Sequence, residues 1–74
     1  VATTTAVRFD GKALRRLREQ RGETREAAAV GAGVSYGTIV KLEGGVVSPH
    51  IRTVRLLADY FGVHMDDLLT ESSP

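Results

Sequence analysis

The chain has no cysteine and only two histidines among its 74 residues. Without thiols, neither a disulfide framework nor a thiolate metal site can staple it. His50 and His64 stand 14 positions apart with no clustered ligand pattern, so no metal is expected, and no cofactor. No apolar run approaches the roughly 20 residues that a membrane span requires, and no signal-peptide pattern appears. The expectation is a soluble cytoplasmic protein with no membrane partner. Strand-like alternation is missing throughout, as is any internal repeat. No nucleophile–base pair, paired carboxylates or phosphate loop can be picked out, so an enzyme is not expected.

What the chain does have is enough for one domain, near the lower size limit for a self-sufficient core. Its net charge of +1 conceals an uneven distribution. Residues 1–25 carry seven bases (Arg8, Lys12, Arg15, Arg16, Arg18, Arg21, Arg25) against three acids, a local +4. Residues 59–74 carry Asp59, Asp66, Asp67 and Glu71 with no base, a local −4. That asymmetry suggests one face for a polyanion and another turned away from it; a solvated basic helix is the simpler alternative.

Residues 1–8 read as a flexible N-terminal tail, 9–70 as the folded domain and 71–74 as a C-terminal tail. Asp10 is a good N-cap for a helix over Gly11–Arg21, with Phe9 and Leu14 at the two positions of a hydrophobic staple. Leu14, Leu17 and the stem of Arg18 share one face, and Gly22 supplies the stop. Thr24 caps a second helix with Glu26 in its first turn; Ala28, Ala29 and Ala32 give it a narrow face of small residues. Gly31 marks it as short and Gly33 ends it. Ser35 caps a third helix running to Glu43 before Gly44-Gly45. Ser48-Pro49 reads as a cap followed by proline at the first helical position, opening a fourth helix through Ile51, Val54, Leu57, Ala58 and Phe61 to Gly62. A fifth spans Met65–Thr70 and buries Leu68 or Leu69. The expected fold is all-α, a compact bundle of five short helices.

Ala29, Gly33 and Ile39 form the informative constellation. The alanine lets two helix backbones approach, the glycine takes the turn, and the branched residue locks the second helix onto the first. These are the requirements of a helix-turn-helix, whose second helix enters the DNA major groove.

The stretches LRRLREQRGET, GVSYGTIVKLEGG and SPHIRTVRLLADYFGV resemble the first, recognition and fourth helices of the Cro/lambda-repressor-like (XRE) helix-turn-helix family. The resemblance covers Leu14 to about Leu69. It implies that Ser35–Glu43 is the recognition helix, with Tyr36, Gly37, Val40 and Lys41 where family members face base edges and Thr38 nearer the backbone. Tyr36 otherwise covers the helix surface, and Val40 either meets a thymine methyl or belongs to the peripheral core. Gly37 permits close backbone approach or only weakens the helix. Arg25 matches a phosphate-contacting position, and His50 and Arg52 are placed to grip the backbone from the other side. Arg18 and Glu43 occupy positions that commonly form a structural ion pair; the alternative is two independent surface charges. Ala29, Gly33, Ile39 and Leu42 are structural.

Some positions depart from the family pattern. Glu23 stands where an apolar residue is usual and Ala28 where leucine is customary, so the core should be thinner there. Val46-Val47 replace a basic or polar pair, suggesting a dimer contact or a packing lid. With one cation and no arginine or glutamine on the recognition surface, direct guanine readout should be weak. The resemblance implies a sequence-specific DNA-binding transcriptional regulator, a repressor, acting as a homodimer on a two-fold operator in double-stranded DNA at the nucleoid. The alternatives are an antitoxin-like module that binds a protein partner, or the DNA-binding fragment of a larger regulator.

Overall fold

The computed structural model describes residues 6–45 and 48–72. In chain order these form β1 (Ala6–Phe9), α1 (Gly11–Gln20), α2 (Arg25–Ala32), α3 (Tyr36–Glu43), α4 (Ile51–Phe61), a 3-10 turn (Met65–Leu68) and β2 (Leu69–Ser72). The start of the expected N-terminal tail, the end of the C-terminal one, and Val46-Val47 lie outside the described residues.

The helix boundaries follow local chemistry. The side chains of Asp10, Thr24 and Ser35 each accept a hydrogen bond at 3.1 Å from the backbone N–H three residues on, satisfying a donor that the first turn leaves unpaired. α4 departs from expectation. Its cap is His50, whose Nδ1 accepts from the Arg52 N–H at 3.1 Å, and the helix begins at Ile51. Ser48-Pro49 leads into it and is not its first turn.

The all-α, five-helix expectation is corrected. Four α-helices stand among the described residues; the fifth segment is a single 3-10 turn that passes directly into a strand. β2 pairs antiparallel with β1 in the register Ala6↔Ser72, Val7↔Glu71, Arg8↔Thr70, Phe9↔Leu69. Strands of four residues are too short to show alternation, and each finds its partner at the other end of the chain. Val7, Phe9 and Thr70 are residue types that strands favour. The Asp10 N–H extends the clasp, donating to the Leu68 carbonyl at 2.7 Å. Leu68 is fully buried and Leu69 half-buried.

The core gathers Ala13 and Leu14 of α1, Ala29 and Ala32 of α2, Ile39 and Leu42 of α3, Val54, Leu57 and Ala58 of α4, and Leu68. Phe9, Leu17, Val34, Tyr60, Phe61 and Val63 pack around it, so the expected staple pair Phe9 and Leu14 shares one apolar cluster. Gly11 makes a close approach that sequence reading does not reveal. A Cβ there would overlap the Leu42 carbonyl and press on that of Glu43 at 3.1 Å. The start of α1 is thereby set against the end of α3. No helix among the described residues is long and apolar enough to cross a membrane.

Candidate nucleic-acid interface

α2 and α3 are joined by the turn Gly33–Val34–Ser35. Gly33 has φ +77°, a left-handed conformation that costs glycine little. The following Val34 N–H donates back to the Ala29 carbonyl at 3.0 Å, closing a Schellman cap. Ala28, Ala29 and Ala32 of α2 are all buried. The small-residue face allows α3 to cross α2 at close range.

α3 is divided along its length. Ile39 and Leu42 are completely buried, whereas Tyr36, Gly37, Val40 and Lys41 are exposed. At 100° per residue these four span about 140° of the opposite side of the helix. Val40 therefore belongs to the exposed face and not to the core. Ser35 and Thr38 point their hydroxyls at each other, 2.7 Å apart, while Ser35 also caps the helix. At the start of α4, His50 and Arg52 are exposed, with the His50 ring serving as the cap.

Arg18 and Glu43 form the expected pair. Arg18 donates from Nε to Glu43 Oε2 at 2.6 Å and from Nη2 to Oε1 at 3.1 Å, and its Nη1 donates to the Glu23 carbonyl at 2.8 Å. The two side chains are only 11% and 4% exposed. Glu43 sits at the C-terminal end of α3, where its charge opposes the helix macrodipole; two cations compensate, because Arg25 Nε also donates to Oε1 at 3.2 Å. Burial alone would push the Glu43 carboxyl upward. The hydrogen bonds and charges of Arg18 and Arg25 outweigh it and hold the carboxyl below its usual range. For Arg18, the same hydrogen bond raises the guanidinium pKa against a smaller opposing effect of burial. Arg25 thus has a partner inside the protein that sequence reading did not assign to it.

The departure at Glu23 is explained by Tyr60. Tyr60 Oη donates to Glu23 Oε2, and its ring lies so close on Gly31 that any Cβ there would overlap it. Arg21 also lies over this ring, with its guanidinium carbon 4.6 Å from the centroid and Nη1 donating to the Tyr60 carbonyl at 2.8 Å. The Glu23 hydrogen bond, with burial and the carboxylate charge, raises the Tyr60 pKa, while Arg21 lowers it. Gly31 is thus a packing position for an aromatic ring within α2, and the helix runs on past it to Ala32. An acid, a tyrosine, a glycine and an arginine replace an apolar contact between the α1–α2 turn and α4.

These contacts also recast the N-terminal basic cluster. Of its seven cations, Arg18, Arg21 and Arg25 are engaged with groups inside the domain, and Arg15 pairs with Glu19 at 3.1 Å on the surface. The acidic end is partly consumed too. Asp67 accepts from the His64 N–H at 3.1 Å, and Asp59 lies 3.9 Å from Arg55. Among the described residues no group of three or more His, Asp or Glu is placed to hold a metal.

Residues 11–71 match the model of a helix-turn-helix domain family. The chain is 37% identical over 59 residues to the cryptic phage CTXphi transcriptional repressor RstR of Vibrio cholerae, covering 80% of this chain and 53% of that protein. The chain therefore spans about half the length of that repressor. Among solved structures it is similar to an HTH_3 family transcriptional regulator from Vibrio cholerae (TM-score 0.72, 29% identity, 78% of this chain and 33% of that one). It also resembles the restriction-modification controller protein C.AhdI from Aeromonas hydrophila (TM-score 0.74, 24% identity, 78% and 88%). The transcriptional regulator VanUg shares the fold over the whole of this chain and 97% of its own (TM-score 0.74, 16% identity). With 61 of its 74 residues matched by that family model, the chain belongs to the helix-turn-helix family.

Proposed function

We propose that the chain is a sequence-specific DNA-binding transcriptional repressor, or the DNA-binding part of one, that lays α3 in the major groove of double-stranded DNA. The observation that carries this reading is the divided helix. Ile39 and Leu42 anchor α3 while Tyr36, Gly37, Val40 and Lys41 are left uncovered on its other side, a disposition suited to a recognition helix. Lys41 supplies a cation, Tyr36 a surface with a polar tip, and Val40 a methyl-bearing surface for thymine. Ser35 and Thr38 lie beside them, and Arg25, His50 and Arg52 serve the flanking phosphates from the starts of α2 and α4. With one cation on the reading face, operator shape contributes part of the specificity.

A homodimer on a two-fold site completes the reading, since one short helix spans only one half-site. It places the protein in the cytoplasm on the nucleoid, as a regulator and not an enzyme. Selection of bound sequences from a random duplex pool, followed by titration of the selected duplex at several salt concentrations, tests it. Binding should weaken steeply with salt, with a log–log slope reporting several phosphates per dimer. An affinity that is flat between low and physiological salt overturns the DNA reading in favour of a protein-binding module.

A further inference from the structure

We infer, on the reading that α2 and α3 dock on duplex DNA, that Glu43 is a positioning residue for DNA binding, and that it holds Arg25 in the orientation that meets a phosphate. Glu43 is one carboxylate serving two guanidiniums, so the cluster carries one surplus positive charge. Arg18 is spent internally: three of its nitrogens are engaged with Glu43 and the Glu23 carbonyl, and its side chain is nearly buried. The surplus falls to Arg25, the first residue of α2, whose side chain is 42% exposed.

A guanidinium is a rigid planar fork with five N–H donors. Arg25 uses Nε toward Glu43 Oε1, and its Nη groups have no partner among the described residues. One edge can therefore be pinned to the protein while the other presents donors to an anion, at a helix start that already favours negative charge. Pinning a long side chain before binding removes part of the ordering cost that it would otherwise incur on the DNA. Lysine, with one ammonium, cannot serve both partners through separate edges. The same carboxylate anchors the end of α3, so the phosphate contact and the reading helix are set in a fixed relation.

The test is a double-mutant cycle of R25A and E43Q, read as affinity and salt slope on a random-sequence duplex, with thermal melts as a check on folding. R25A should weaken binding on all sequences and reduce the salt slope by about 1 per protomer. In the wild-type background E43Q should weaken binding about three- to tenfold relative to its effect in the R25A background; the loss of one negative charge is common to both backgrounds and cancels. An equal effect of E43Q in the two backgrounds overturns the positioning role. If wild type shows salt-dependent binding but R25A matches it in affinity and slope, Arg25 is not on a phosphate, and the inference falls while DNA docking stands. If wild type itself does not bind duplex, both fall. Should E43Q fail to fold, R25K decides: weaker binding at an unchanged melting temperature supports the inference, and wild-type affinity overturns it.

Discussion

Removing the Glu43 carboxylate altogether should be among the most damaging single substitutions in this domain. In Glu43→Ala, Arg18 stays enclosed beneath α3 with only the Glu23 carbonyl left at 2.8 Å, and Arg25 loses its tie to α3. Breaking one side of a buried ion pair costs about 3–5 kcal/mol. The 11% and 4% exposure of the two side chains places this pair at the buried end of that range. A domain of this size has a total stability of about 4–11 kcal/mol at the usual per-residue figure, so much of it would be lost. At about 4–8 °C per kcal/mol, the melting temperature should fall by at least about 12 °C. The pH dependence provides a second readout. Because the folded-state pKa of Glu43 is lowered from its ordinary 4.5, its contribution is complete above that value and is lost as pH falls through the lower folded-state one. Wild type should therefore lose stability below about pH 4.5 more steeply than Glu43→Ala does. The assay is thermal melting by circular dichroism at neutral pH and across the acid range. A neutral-pH melting temperature within a few degrees of wild type, or identical acid profiles, would refute the structural role of the pair.

Three further outcomes follow from packing. Leu42→Ala should destabilise the fold by about 2–5 kcal/mol in denaturant titration, since its side chain is fully enclosed. Gly11→Ala should lower stability measurably, because its new methyl would meet the Leu42 and Glu43 carbonyls at the α1–α3 contact, which is backbone and cannot rotate away; a neutral result would show that the two helices are not so closely apposed. Gly31→Ala, which would gain about 1 kcal/mol in an open helix, should instead destabilise, because the Tyr60 ring occupies the space. The same substitution made in a Tyr60→Ala background should become neutral or stabilising, and persistence of the loss there would exclude the ring as its cause.

The residues that could be read in advance were those whose role is decided locally. Asp10, Thr24 and Ser35 announced their helices because a cap needs only its own first turn, and Gly33 announced the turn because the left-handed conformation is a property of one residue. The alternation of Ile39 and Leu42 with exposed neighbours was equally visible, since helical period alone separates the faces. What escaped was set by distant parts of the chain. The β1–β2 pairing joins segments more than fifty residues apart in sequence, with strands too brief to carry a pattern. Glu23 looked like a gap in the core because its partner Tyr60, and the glycine that makes room for the ring, lie elsewhere. The sequence points Arg25 wholly at phosphate, because nothing local to it shows the Glu43 carboxylate arriving from α3. At α4, a histidine took the capping role over a serine that stands two residues earlier.

On the proposed reading, α3 keeps its buried side for the fold and its exposed side for DNA. Binding of Lys41→Ala and Tyr36→Ala to the selected duplex and to an unrelated one tests it directly. Both variants should melt like wild type, since neither side chain is buried. Both should bind the selected duplex more weakly; for Lys41, a base contact should cost about 1–3 kcal/mol and relax preference at one base pair, while a phosphate contact should weaken both duplexes alike. Wild-type affinity of both variants on both duplexes would contradict the account, because α3 would then not be the helix that reads DNA.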